Sequence, residues 1–257
     1  MNRIALAVVL AIALVVGVVF GVYPEFDLKI ASLFYDPTTH KFIATGEWVP
    51  YVRDAATLLI AALVAPAFLA IIGKLIAPRR RMLIPGRAAL FLSISLVLGP
   101  FFLANVVLKD HWARMRPTDM IQFGGAERIT AWWDPTGPCP DNCSFIAGEP
   151  SAAFWTVAPA SFAPPQWRAL AYAGVLLFGA AMGVLRMAGG AHFFSDVVFA
   201  GVFMFVLVWT LHGLIYRWQA TRLTDEAVEG PLERIGKGMR ERWGTLRRGA
   251  GRKSQGS

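Results

Sequence analysis

Along most of this chain the apolar residues do not alternate with polar ones. They run on in stretches that approach the roughly 20 residues a helix needs to cross a bilayer. Such stretches occupy Ile4–Val22, Ala55–Ile76, Ala88–Leu108, Leu170–Gly190 and Phe193–Tyr216, and a shorter one runs from about Phe145 to Phe162. Polar and charged residues collect between them. The pattern predicts an all-α, polytopic membrane protein with about six transmembrane helices over residues 1–216 and a separate tail over 217–257. The opening Met1-Asn2-Arg3 resembles the start of a secretory signal. The apolar run behind it is too long for one, however, and no small-x-small cleavage site precedes Tyr23, so the segment reads as a retained first helix.

Composition agrees with this reading. Of 257 residues, 56% are hydrophobic and 16% charged, a balance that excludes an ordinary soluble domain. The positions of Lys and Arg then set an orientation, because cytoplasmic loops carry the excess. Arg3, the turn with Lys74, Arg79, Arg80, Arg81 and Arg87, and the tail from Arg217, with ten basic residues against five acids, form one basic side. The opposite side is not basic: 23–54 has three Lys or Arg against five acids, and 109–149 has four against six. Both termini are expected in the cytoplasm, with an even number of helices. The formal charge of +8 therefore points to membrane surface rather than nucleic acid.

Within the tail, Leu232, Ile235, Met239, Trp243 and Leu246 recur at helical spacing among Arg234, Lys237, Arg240, Arg242, Arg247 and Arg248. That suits a helix lying on anionic headgroups, or a solvated tail; 249–257 reads as disordered. Cys139 and Cys143 fall in the loop assigned to the outside. They suit a disulfide there, although a short Cys pair also serves as a metal ligand set. The aromatic residues Trp112, Phe123, Trp132 and Trp133 of the same region suit headgroup-level anchoring or the framing of a lipid entrance.

Ionisable residues at membrane depth are costly and mark function. Here they gather at one edge: Lys109, Arg114 and Arg116 after the third long stretch, Glu149 at the start of the short one, Arg186 near the end of the next, and His192 with Asp196 at the start of the last. Lys109 and Arg116 are seven apart, two helical turns, and Pro117 is expected to stop that helix. Arg186 offers a planar fork for phosphate oxygens. His192 and Asp196 are four apart, so on a helix the carboxylate reaches one ring nitrogen, fixes the tautomer and leaves the other free to attack. Gly189 and Gly190 permit a tight turn before the histidine. Each residue alone has an ordinary structural role; their convergence suggests an anion site.

These residues resemble a known family. Lys109-x6-Arg116-Pro117 and Arg186-x5-His192-x3-Asp196 are similar to the first and third motifs of the type 2 phosphatidic acid phosphatase superfamily, over roughly 88–208. The family's middle motif is Pro-Ser-Gly-His, and the matching stretch here is Ile146-Ala147-Gly148-Glu149, which keeps only Gly148. A register on Pro150-Ser151-Ala152-Ala153 keeps two residues but no proton carrier, and fits the flanks less well. Leu185 stands where the family usually has Ser. More loosely, Phe26-Asp27, 33–37, Phe123-Gly124-Gly125 and 142–145 resemble bacterial members that act on lipid A.

The resemblance implies a membrane-lipid substrate and a metal-independent, cofactor-free reaction at the external ends of helices 3 to 6. His192 would attack phosphorus to give a phosphohistidine, supported by Asp196, while Lys109, Arg116, Arg186 and Gly148 bind the phosphate. Glu149 occupies the place of the histidine that protonates the leaving oxygen. It either donates that proton, which requires a protonated carboxyl when substrate arrives, or pairs with an arginine. An anomeric or phosphate leaving group needs less protonation. A lipid A phosphatase is the favoured reading. Undecaprenyl diphosphate or phosphatidylglycerol phosphate phosphatase, lipid phosphotransfer and non-catalytic lipid-phosphate binding are the alternatives.

Overall fold

The computed structural model describes residues 3–253, with side chains as far as Trp243. The uninterrupted apolar run at the start forms α1 (Arg3–Val22), and Pro24 leads into α2 (Glu25–Ser32), whose Glu25 and Asp27 lie in the first turn where the helix dipole favours acids. A small antiparallel hairpin follows, β1 (Tyr35–Asp36) and β2 (Lys41–Phe42), with Tyr35 opposite Phe42. Its turn is tied by Asp36, which accepts the hydroxyl of Thr38 at 2.6 Å, the Thr38 N–H at 2.9 Å and the Thr39 hydroxyl at 2.8 Å. Those bonds hold its pKa down to about 2.

Next come α3 (Trp48–Ile76) and α4 (Gly86–Leu96). The latter continues through a π-helical stretch, Val97–Leu108, into the last turn α5 (Lys109–His111), so that Gly86–His111 is one rod. Pro100 interrupts its ladder, and the Asn105 side chain donates to the Pro100 carbonyl at 2.6 Å. The remaining helices are α6 (Gly148–Trp155), α7 (Val157–Ala160), α8 (Arg168–Ala188), α9 (Phe194–His212) with a π-helical extension over Gly213–Arg217, and α10 (Asp225–Lys253). Residues 254–257, the end of the stretch read as disordered, lie outside the described residues.

Among the described residues, five helices are long and apolar enough to cross a membrane: Arg3–Val22, Trp48–Ile76, Gly86–His111, Arg168–Ala188 and Phe194–Arg217. The sequence suggests about six. The short apolar stretch instead gives α6 and α7, broken at Thr156, and their 13 residues from Gly148 to Ala160 extend about 20 Å against the roughly 30 Å of a hydrocarbon core. The pair runs antiparallel to α8: Glu149 at the start of α6 meets Arg186 near the end of α8, while Val157 shares a groove with Tyr172 near its start. An interrupted helix pair thus returns the chain along α8.

The chain divides into two compact units, Met1–Ala61 with Ile94–Leu211, and Ala62–Ser93 with His212–Ser257. In the first, Phe145 is fully buried, with Trp112, Trp132, Phe199 and Phe203 ringed around it. Trp112 donates to the Trp132 carbonyl at 2.6 Å and Trp132 to that of Gly17 at 2.9 Å; Phe123 is buried beside Tyr35 and Phe42. Three of the four aromatic residues expected at headgroup level are therefore packed inward. Trp133 stays exposed. In the second unit, Glu233 of α10 pairs with Lys74 at 3.2 Å and Asp225 with Arg87 at 3.3 Å, leaving Ile235, Met239 and Trp243 exposed.

Candidate active site

The rod ends at His111, so Lys109 sits on its last turn and Arg116 does not share that face. Arg116 is extended (φ −87, ψ 160), and Pro117 opens a 3-10 turn rather than stopping a helix. Its N–H donates to Asp119 at 2.9 Å and its guanidinium to the Asn142 carbonyl at 2.7 Å. Cys139 and Cys143 are joined by a disulfide, which takes both thiols out of metal ligation. The backbone N–H of Cys143 then donates to Lys109 at 3.0 Å and that of Ser144 to Arg114 at 2.8 Å, seating the 139–144 loop on the end of the rod. Gly148 opens α6 against Asn105, where a β-carbon would lie 2.7 Å from the amide oxygen. Gly190 adopts φ +67 in the turn before His192, a conformation that glycine takes without strain.

His192 lies two residues before α9 and is 2% exposed. The relation expected from its spacing to Asp196 is not the one observed. Its Nδ1 faces the Ser144 carbonyl at 2.7 Å, whereas Asp196 Oδ2 is 4.0 Å away. A carbonyl only accepts, so Nδ1 carries the proton and Nε2 keeps its lone pair. Asp196 is instead the third residue of α9 and takes the Phe193 N–H at 2.8 Å, the helix-start arrangement in which a side chain caps the preceding amide. It also accepts the Ser144 hydroxyl at 2.5 Å and the Arg114 guanidinium at 2.5 Å.

Arg114, fully buried, is bonded as well to Asp27 of α2 at 2.8 Å and to the Ser195 hydroxyl at 2.9 Å, and it lies over the Phe193 ring. Burial works against its charge, and the carboxylates of Asp196 and Asp27 overcome that, raising its pKa above the ordinary arginine value. In the sequence Arg114 is one cation of a set, and Asp27 is not among the candidate site residues. Asp27 enters the sequence reading only through the loose Phe26-Asp27 resemblance, and its partner is 87 residues away.

Burial, followed by the positive charges of Arg186 and Lys109 and then of Arg116, pushes the His192 pKa well below 6.5, against the opposing effect of the Ser144 hydrogen bond. The three expected cations therefore all act on this histidine and favour its neutral form. Glu149 bridges two arginines: Arg53 of α3 reaches its Oε1 at 2.6 and 2.7 Å, and Arg186 Nε lies 3.4 Å from its Oε2. Arg53 is a member of the cluster that the sequence did not reveal, since a single arginine near a helix start reads as an interfacial anchor. The arrangement is a buried imidazole whose Nδ1 is occupied by a carbonyl, in the field of three cations, a setting suited to in-line attack on phosphorus through Nε2.

Residues 88–223 match the PAP2 superfamily. Among relatives, the chain is 29% identical over 219 residues to the lipid A 4'-phosphatase of Francisella tularensis subsp. novicida (strain U112), covering 84% of this chain and 98% of that one. It is 38% identical over 104 residues to the lipid A 4'-phosphatase of Rhizobium leguminosarum, covering 40% of this chain and 45% of the relative. The corresponding protein of Rhizobium etli is 37% identical over 103 residues, 40% of each chain. No solved structure matches.

Proposed function

The chain belongs to the PAP2 superfamily, and from that premise we propose that it is a lipid phosphatase of a bacterial membrane that removes a phosphate from lipid A or a related saccharolipid. The observation that carries the chemistry is the buried His192 ring, tied at Nδ1 by the Ser144 carbonyl and lying in the positive field of Arg186, Lys109 and Arg116. Nε2 attacks phosphorus, a P–N bond forms, the P–O bond to the lipid breaks, and the departing oxygen takes its proton from water. The three cations hold the non-bridging oxygens and the charge that spreads over them. Water then breaks the P–N bond and releases phosphate, regenerating neutral His192; no metal or cofactor takes part.

The relatives are named for the 4'-phosphate, whose bridging oxygen is an ordinary sugar hydroxyl and leaves with a proton. Their names favour that position over an anomeric or diphosphate leaving group. Glu149, between Arg53 and Arg186, is placed to fix the arginines. The site faces the periplasm and both termini the cytoplasm, as the basic segments argue, and α10 lies on anionic headgroups through Ile235, Met239 and Trp243.

The test is to incubate purified protein with bis-phosphorylated lipid A, phosphatidic acid, phosphatidylglycerol phosphate and undecaprenyl diphosphate, with and without chelator, and to measure free phosphate. Release from lipid A of one phosphate, assigned to the 4'-position by mass spectrometry and unaffected by chelator, is expected. Release only from the other lipids overturns the substrate. Chelator sensitivity overturns the metal-free mechanism.

A further inference from the structure

The nucleophile's ring is held by a main-chain carbonyl, so whatever fixes Ser144 fixes His192. Ser144 is held on two further sides. Its N–H donates to the Arg114 carbonyl at 2.8 Å, and its hydroxyl donates to Asp196 Oδ2 at 2.5 Å. The Arg114 guanidinium grips the other oxygen of the same carboxylate. Arg114 thus holds Ser144 twice, directly through its backbone and indirectly through Asp196. What holds Arg114 is Asp27. That carboxylate accepts the Arg114 guanidinium at 2.8 Å, the Ser195 hydroxyl at 2.5 Å and the Ser195 N–H at 3.0 Å, the last at the N-terminus of α9. All five side chains, Asp27, Arg114, Ser144, Ser195 and Asp196, are fully buried.

We propose that Asp27 and Arg114 are positioning residues for His192: a buried Asp27–Arg114–Asp196 ion network that fixes Ser144 and, through its carbonyl, the tautomer and direction of the attacking ring. Asp27 belongs to α2, outside the residues 88–223 matched to the superfamily, so an N-terminal element completes the site of the catalytic region. The network holds one cation between two carboxylates, each of which also accepts hydrogen bonds from Ser195 or from Ser144 and Phe193. Hydrogen-bonded charges of this kind are costly to unbalance once buried. A ring displaced by even a fraction of an ångström from the line of attack loses rate without losing phosphate affinity.

This inference rests on His192 being the nucleophile, and its test separates the two. Asp27→Asn keeps the shape and removes one charge. Its kcat is expected to fall by roughly 10- to 100-fold, the cost of misplacing a reacting group, with KM within about twofold of the wild type. Orthovanadate, which takes an imidazole nitrogen as an axial ligand, is expected to inhibit the variant at least about tenfold more weakly. Inorganic phosphate, held by the cations alone, should inhibit both proteins equally. A merely structural role would weaken both inhibitors together. Ser195→Ala, which removes one hydrogen bond and no charge, is the milder variant should Asp27→Asn fail to fold, and should show the same split at smaller amplitude. Wild-type kcat and vanadate inhibition in folded Asp27→Asn, or in Ser195→Ala where the first does not fold, overturn the positioning network, and so does equal loss of both inhibitors. Turnover retained by His192→Ala overturns the nucleophile instead.

Discussion

His192 Nδ1 donates to the Ser144 carbonyl oxygen at 2.7 Å and leaves Asp196, four residues on, at 4.0 Å. The carboxylate is therefore one step removed from the ring, and the variants should rank accordingly. His192→Ala is expected to abolish phosphate release. Asp196→Asn, which loosens Ser144, Phe193 and Arg114 together, should lower kcat strongly, and Ser144→Ala, which keeps the carbonyl, should lower it less. Steady-state kinetics on one lipid phosphate checks the order; a Ser144→Ala loss larger than that of Asp196→Asn would break it.

The pH dependence follows from the depressed pKa of His192, which burial, Arg186 and Lys109 hold below the ordinary 6.5. With His192 as the proposed nucleophile, attack needs the neutral ring, so this proton should not limit the rate at pH 6.5 and above. For stability the sign is set by the unfolded chain, which binds the proton first as pH falls. The contribution is complete above pH 6.5 and is lost as pH drops from there toward the lower folded value, at no more than about 1.4 kcal/mol per pH unit. Thermal unfolding between pH 7.5 and 5.5 should show this decline, and His192→Gln should flatten it.

The helices and much of the charge cluster were legible because lipid makes both conspicuous: an apolar run near 20 residues and an ion at its end have few other readings. What stayed hidden depends on geometry that spacing does not carry. A seven-residue interval suggested one helical face for Lys109 and Arg116, but the rod ends between them at His111. A four-residue interval suggested a His–Asp bond, but α9 starts after His192 and Asp196 caps it. A histidine bonded to a main-chain carbonyl leaves no side-chain signature. Arg53 and Asp27 meet their partners across 96 and 87 residues, a separation at which one sequence gives no pairing signal.

Topology makes a separate prediction, motivated by the basic segments. A reporter fused after Ser257 should read cytoplasmic, and one inserted near Gly137 should read external. Cys139 and Cys143, joined in the loop that carries the second site, should resist alkylation until reduced. The reverse pair of reporter signals would move the site to the cytoplasmic side.

Glu149 is where the chain departs most from its family's motif, and the Arg53 and Arg186 contacts give a definite expectation. A carboxylate held between two guanidiniums orients them, whereas a general acid must carry a proton to the leaving oxygen. Glu149→Gln keeps the size and loses the charge. If the residue positions Arg186, the variant should lose activity by the same factor on an alkyl phosphate and on an activated aryl phosphate, because the damage is to phosphate binding. If it donates the proton, the alkyl substrate should lose roughly the 10²–10⁴-fold typical of general acid–base catalysis, while the aryl substrate loses far less. Equal losses are expected, and Arg53→Ala should reproduce part of them, with the double variant little worse than Glu149→Gln because the two residues act through one contact. A loss confined to the alkyl phosphate would reassign Glu149 as the acid.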